Sequence, residues 1–283
     1  MAADGYRLIA GDAGIGVVVW ERATDGTRRS YVFAPDVDKF LEEKRLQAGY
    51  RLVVPTFGGD ADSFSAVFEK LEADVQVRDY GLIKARSSGA LGKRFEQASE
   101  GTTRAVAVAW SGSGVAAIYE RDGLARPARI VSSGNSGTLE KELRSPGAAA
   151  GCVVDGDGVK EALYLLEPCA EGAGRGYEVI ATTKGDTFEK ELNAAAVRGM
   201  RLVPASVVNI EKRVLMMSAY NIEIVGVLEP ATDRTPITYR VLGTLRLDTL
   251  ERELQTAAAG GFRLLVFTVG PKEKIAVMAR GRR

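Results

Sequence analysis

The sequence predicts an α+β fold, a tandem array of βαββ units whose small antiparallel sheets are each covered by one helix. One phrase recurs: "GTLEKELRSPGAAAGCVVDG" from Gly137, "DTFEKELNAAAVRGMRLVPA" from Asp186 and "DTLERELQTAAAGGFRLLVF" from Asp248. Its first half has helical spacing and its second half reads as a strand. A turn and a further strand ending in glutamate follow it: "VVWER", "AVFEK", "AIYER", "YLLEP" and "VGVLEP".

The elements follow in order. The first strand carries an aromatic near its start, as in "YEVIATT" from Tyr177 and "YRVLGTL" from Tyr239. The helix comes next. Asp186 with Glu189, and Asp248 with Glu251, read as capping boxes. Leu91 and Phe95, Leu139 and Leu143, Phe188 and Leu192, Leu250 and Leu254 stand four apart on one face. Ala194, Ala195, Ala257 and Ala258 let the helix lie close to a sheet. Gly101, Gly151, Gly199 and Gly261 fall where a helix-terminating glycine belongs. First strand, helix and second strand form a right-handed crossover. Second strand, third strand and the next repeat's first strand are expected to form an antiparallel meander, linked by about 5–10 polar residues.

The boundaries read as a partial repeat 1–25, then repeats 26–72, 73–122, 123–171, 172–230 and 231–283. The opening "AADGYRLIAGDAGIGVVVWER" matches a helix end, a second strand and a third strand. It is either a terminal cap of the array or the mark of a processing or cloning boundary. The repeat 123–171 is degenerate: Pro146 cuts its helix short and Val153 replaces an arginine found elsewhere. The repeat 172–230 carries an insertion, "VNIEKRVLMMSAYNIE".

Composition removes several chemistries. With 46% hydrophobic and 27% charged residues in 283, the chain can bury a core. Its 38 basic and 37 acidic side chains nearly cancel, which argues against a nucleic-acid partner. No apolar run reaches the roughly 18 residues of a membrane span, and no secretory h-region precedes Tyr6. The chain has no histidine, which excludes Ser-His-Asp and Cys-His catalysis and histidine metal ligation. Its two cysteines cannot build a four-thiolate zinc site. No cofactor or metal is expected.

Strand "YEVIATT", helix "TFEKELNAAAVRG" and strand "MRLVP", with a final short strand, resemble the small bacterial DUF4177-type domain, a family of unknown function. The match is best over Tyr177–Pro204 and Tyr239–Arg280, and its motif "LExELxxAAxxGxxLV" is a packing signature. The aromatic after the helix glycine is kept as Tyr50 and Phe262 but is Met200 and Cys152 elsewhere. The resemblance implies a βαββ unit and brings no catalytic residues.

Candidate site residues come from the repeat pattern. Arginine recurs two residues after the helix glycine, as Arg7, Arg51, Arg201 and Arg263, with Arg104 the nearest equivalent in the second full repeat. Glutamate recurs on the third strand as Glu21, Glu69, Glu120, Glu167 and Glu229. A hairpin sets Arg7 opposite Glu21, Arg51 opposite Glu69 and Arg104 opposite Glu120. The row is either cross-strand pairing worth roughly 0.2–1 kcal/mol per pair or a contact for a repetitive ligand. Strand alternation points Arg7, Arg51 and Arg263 to solvent. In "VVDGDGVKE", Asp155, Asp157 and Glu161 miss the EF-hand spacing and read as a tight turn between strands. Cys152 and Cys169 face across a hairpin: a disulfide in an oxidising compartment, two buried thiols otherwise. Met216, Met217 and Tyr220 in the insertion are an adaptable apolar contact surface if exposed, or part of an extended hairpin. The Gly/Ser tracts Ser111–Gly114 and Ser132–Gly137 lack phosphate-loop spacing and read as turns.

The leading expectation is a non-enzymatic scaffold or binding protein with a protein or polymeric ligand. The alternatives are a carboxylate-dependent hydrolase of a sugar-like substrate and a structural protein that self-associates through its terminal units. An exported or periplasmic location is favoured over a cytoplasmic one.

Overall fold

The computed structural model describes residues 5–12, 17–44, 47–56, 64–99, 103–111, 114–122, 128–145, 148, 151–169, 176–213, 220–233, 235–269 and 273–281. The chain divides into two compact units, Met1–Ile130 and Val131–Arg283.

The first unit opens with a two-stranded antiparallel sheet, β1 (Tyr6–Asp12) and β2 (Val17–Arg22). Next come β3 (Arg29–Ala34), α1 (Val37–Lys44), β4 (Tyr50–Thr56) and β5 (Ser65–Leu71), then β6 (Asp79–Ala85), α2 (Ser88–Ser99), β7 (Thr103–Ser111) and β8 (Gly114–Arg121). Their sheets are ordered β3-β5-β4 and β6-β8-β7. The repeat that follows has β9 (Arg129–Ser133), α3 (Ser136–Leu143), β10 (Gly151–Gly158) and β11 (Ala162–Pro168), ordered β9-β11-β10. The rest of the second unit comprises β12 (Glu178–Thr182), α4 (Gly185–Val197), β13 (Met200–Leu202), β14 (Val208–Arg213), β15 (Tyr220–Pro230), β16 (Ile237–Thr244), α5 (Leu247–Ala259), β17 (Arg263–Val269) and β18 (Lys274–Gly281). This is the α+β fold of repeated small antiparallel sheets and helices that the sequence predicts.

The strand order corrects the expected meander. In each complete repeat the third strand pairs inside its own repeat, between the first and second strands, not with the first strand of the next repeat. β3 and β4 both run antiparallel to β5, so they are parallel to each other and two strand spacings apart. The crossover through α1 leaves that gap, and the returning hairpin fills it. The third strand is then buried on both faces: Ser65 through Glu69 are all buried. That explains why it reads as a continuous apolar run and not as an alternation.

A second feature recurs that the sequence pattern does not announce. The register slips by one residue in the second strand, between Leu8 and Ala10, Leu52 and Val54, Ala105 and Ala107, Val153 and Asp155, and Leu264 and Val266. The bulge bends and twists each second strand at the same place. In the repeat 172–230 a 3-10 turn, Pro204–Ser206, separates β13 from β14, and both pair with β15. Buried Ser206 repairs the broken ladder: its Oγ donates to Val203 O at 2.6 Å and accepts from Val227 N at 2.8 Å. The insertion therefore extends a hairpin, β14 against the first half of β15. Met216 and Met217 lie outside the described residues, and Tyr220 opens β15 opposite Arg213.

The helix ends need two corrections. The N-caps of α4 and α5 are Lys184 and Arg246, neither with a side-chain cap bond. Asp186 and Asp248 lie inside the first turn, so the expected capping boxes do not form. A carboxylate there is still favoured by the partial positive charge of the helix start. Glu189, released from capping, serves the next repeat, as described below. At the other end, Gly199 and Gly261 adopt φ of 81° and 82°, the left-handed terminating conformation that glycine reaches without a Cβ clash. Gly151 does not end a helix; it begins β10, and α3 has already stopped at Leu143. Gly101 and Pro146 lie outside the described residues.

The "DGDG" tract also differs from expectation. Asp155 to Gly158 continue β10, pairing with Leu165 to Ala162, and the reversal comes after them. Gly156 is required where it stands: a Cβ there would lie 2.4 Å from the Tyr164 ring.

The cores run across repeat junctions. In the first unit Val37, Leu41 and Phe68 cluster with Tyr80 and Ile118 of the next repeat. In the second, Leu139, Leu143 and Leu166 cluster with Tyr177, Val225 and Val227, and Phe188, Leu192 and Leu228 with Tyr239, Ile275 and Val277. α1, α3 and α4 thus each bury an apolar face on their own sheet and on the next, the nearest-neighbour logic of repeat proteins.

Candidate functional site

The polar residues that recur converge at the repeat junctions. The second strand lies at the edge of its sheet, where outward N–H groups have no ladder partner. A tyrosine from the next first strand takes one of them. Tyr31 Oη accepts from Leu8 N at 2.9 Å, Tyr80 Oη from Leu52 N at 3.3 Å and Tyr239 Oη from Leu202 N at 2.9 Å. Tyr177 Oη donates to Gly151 O at 2.7 Å and accepts from Val153 N. The one first strand without this tyrosine is β9, preceded by Ala128 at the aligned position, and the boundary between the two compact units falls in that strand.

The first strand also lies at a sheet edge, and at β6, β12 and β16 the preceding helix covers it. Asn193 of α4 donates to Tyr239 O at 3.0 Å and accepts from Tyr239 N at 2.9 Å, while Glu189 accepts from Val241 N at 2.7 Å. Arg144, at the end of α3, donates to Tyr177 O at 2.7 Å. Asp38 of α1 pairs with Lys84 of β6.

Carboxylates and arginines complete the junctions. Glu69 is 2% exposed. It accepts from Tyr31 Oη at 2.7 Å and pairs with Arg29 Nε at 3.2 Å and with Arg51. Arg29 pairs in turn with Asp25, and that contact, with a backbone bond from Thr27, holds the Asp25 carboxyl far below its usual range. The next junction repeats the pattern. Arg78 pairs with Asp74 at 2.8 Å and approaches Glu120 at 3.9 Å. Asp74 is likewise lowered, by a bond from Gln76 N and by Arg78. The spacing Asp-x3-Arg-x-Tyr (Asp25, Arg29, Tyr31; Asp74, Arg78, Tyr80) is a sequence signal for this cluster that the reading above did not use. Asp233 and Tyr239 keep its ends, but Ile237 stands in the arginine's place.

The predicted arginines lie one per sheet. The register sets Arg7 opposite Glu21, Arg51 opposite Glu69 and Arg104 opposite Glu120, as the hairpins require. Arg7 binds Glu21 at 2.6 Å. Arg7, Arg51 and Arg263 are exposed on their strands. Arg201 lies opposite Glu229 in register but turns away, pairing with Asp233 at 2.9 Å and with Thr235 O. The missing arginine at Ile237 explains this, because Arg201 supplies the positive charge that Asp233 would otherwise receive from its own strand. Glu229, left without it, is raised above the usual carboxylate range by burial. Arg263 faces Ala279, where the last repeat carries no glutamate.

No family model, curated protein or solved structure matches this chain.

Cys152 and Cys169 form a disulfide with Cα atoms 5.0 Å apart, bridging β10 and the end of β11. Their sequence separation is 17, so the closed loop stabilises by about 3 kcal/mol at most. Reduction is expected to lower stability by up to that amount, with hydrogen exchange accelerating first in Gly151–Pro168. Unchanged exchange there after reduction would remove the bond from any stabilising role. Among the described residues no cluster of three or more acidic or cysteine side chains is placed to hold a metal ion. Among the described residues no helix is long and apolar enough to cross a membrane.

Two outcomes follow from the tyrosines. Tyr239→Phe keeps the packing but leaves Leu202 N–H buried without its acceptor, which is expected to cost about 1–3 kcal/mol in denaturant unfolding. Burial raises the phenols of Tyr31 and Tyr177 from 10.0 to about 12. Their contribution to stability is therefore intact below pH 10 and is lost as pH rises through 12. A tyrosinate absorbance titration is expected to show late-titrating groups that shift toward the ordinary value in denaturant. Uniform titration near the ordinary value in the native protein would contradict the buried latches.

Proposed function

We propose that this chain is a non-enzymatic repeat protein that serves as a scaffold or binding surface for a protein or polymeric ligand. The observation that carries the reading is the use made of its recurring polar residues. Tyr31, Tyr80, Tyr177 and Tyr239, with Glu69 and its arginines, are engaged in joining strands and repeats. Residues used this way fix neighbouring sheets to each other within each unit, which suits a ligand touched at more than one repeat. Arg7, Arg51, Arg201 and Arg263, and Met216, Met217 and Tyr220, are the first contacts to test. The disulfide supports an oxidising compartment and so an exported location.

The test pairs turnover with binding. The purified chain is offered a panel of chromogenic glycosides and of soluble polysaccharides and peptides. The expected result is saturable binding by at least one polymer, weakened by Arg51→Ala, with no turnover. Turnover that follows the protein through gel filtration would replace this reading with the hydrolase.

A further inference from the structure

By register it is Cys152, not Val153, that stands where other sheets carry arginine. Cys152 faces Glu167 as Arg7 faces Glu21, Arg51 faces Glu69 and Arg104 faces Glu120. Arg7 and Arg51 tie their second strand to the third by ion pairs, whereas the repeat 123–171 uses a bond that a thiol can cut. Neither cysteine is buried, which leaves that bond open to a soluble thiol.

The two groups that hold Tyr177 flank the same bond. Its hydroxyl donates to Gly151 O at 2.7 Å and accepts from Val153 N, one residue to either side of Cys152. Tyr177 leads into β12, the first strand of the next repeat, and Arg144 donates to its carbonyl at 2.7 Å. The ladder alone secures the start of β10 poorly. β10 lies at the edge of its sheet, and its first residue, Gly151, faces Pro168, which has no N–H to give. If that end frays from β11, Gly151 and Val153 move away together and the tyrosine loses both partners. With the sulfurs joined, this route of opening is closed.

We propose that the Cys152–Cys169 disulfide is a redox switch on the joint between the repeats 123–171 and 172–230, operated by a dithiol. One thiolate of the dithiol attacks one cystine sulfur, forming a mixed disulfide and releasing the other cysteine, which takes up a proton. The second thiol then displaces the remaining cysteine and closes the reductant into its own disulfide. Two electrons and two protons pass from the dithiol to the cystine. The oxidised chain keeps the two repeats latched, and the reduced chain lets β10 fray and frees the Tyr177 hydroxyl. A chain that binds no polymer would keep this switch, so the polymer assay and the redox assay fail separately.

The test compares amide hydrogen exchange in the folded full chain, oxidised and in excess dithiothreitol. Reduction is expected to proceed without denaturant. It is expected to accelerate Val153 and Glu178–Thr182 by about tenfold, with Tyr239–Val241 at the next joint unchanged. Tyr177→Phe tests the converse, because coupling between bond and latch acts in both directions. In a dithiothreitol redox buffer the variant is expected to be reduced with an equilibrium constant about fivefold higher than that of the parent chain. Should the variant not fold, the exchange rates decide alone. A bond that yields to dithiothreitol only in denaturant would overturn the switch. So would acceleration that leaves Glu178–Thr182 unchanged, which is fraying that never reaches the next repeat, or equal equilibrium constants in a folded variant.

Discussion

Glu69→Ala is expected to destabilise the first unit by about 3 kcal/mol, because it removes one partner of a buried ion pair and leaves the other charge behind. Arg29 is only 8% exposed at its side chain and cannot turn to water. Tyr31 loses its acceptor in the same substitution. Asp25 still holds Arg29, which keeps the cost at the lower end of the range for such losses. Both tryptophans, Trp20 and Trp110, belong to the first unit, so intrinsic fluorescence reads its unfolding alone. The control is Arg51→Ala. Arg51 is half-exposed, and removing it is expected to cost no more than about 1 kcal/mol. Equal effects from the two substitutions would show that the buried carboxylate is not the centre of the cluster.

Phe188→Ala is expected to destabilise the second unit by about 3–5 kcal/mol. The ring is fully buried between α4 and β15. It lies so close to the sheet that a Cβ on Gly226 would stand 2.8 Å from its edge. The Gly226 backbone and the neighbouring Leu202 and Tyr239 leave little that can collapse into the vacated space. The loss is expected in the repeat that contains β16 as well, since the same cluster includes Ile275 and Val277. Leu247→Ala on the exposed side of α5 is the contrast, with an expected change within about 0.5 kcal/mol. Urea unfolding followed by circular dichroism separates the two.

The helices, the strands and the cross-strand facing of Arg7 with Glu21 and Arg51 with Glu69 were legible because they depend on short-range spacing. A period of four on Phe188 and Leu192, or a Gly followed by Arg and a matching Glu across a hairpin, states its own geometry. The facing of Cys152 and Cys169 across a hairpin was legible for the same reason, while the bond between them was not, because spacing does not fix the redox state. Strand order was not. Whether β5 pairs with β3 or with β6 is a choice between two long-range closures, and both place the same residues in strands. The capping boxes misled because Glu189 had a better acceptor role 52 residues downstream than at its own helix start. The junction tyrosines were visible only as aromatics near strand starts. Their hydroxyls take N–H groups from a different sheet, a pairing with no fixed sequence separation. The Asp-x3-Arg-x-Tyr spacing marks them, and the substitutions at Ala128 and Ile237 mask it.

The bonds from Asn193 and Glu189 to β16 end on main-chain atoms of Tyr239 and Val241. A helix that recognises its neighbour through peptide groups sets few demands on that neighbour's side chains. Duplicating or exchanging a whole unit then leaves the joint intact wherever the incoming strand keeps one tyrosine. Lineages built from such parts can lengthen or shorten by recombination without a matching set of compensating substitutions, while the outward residues drift to new partners. The degenerate third full repeat is joined to its successor by Arg144 and Tyr177 where Asn193 and Tyr239 serve the next joint, so the same kind of joint is made with a different helix side chain.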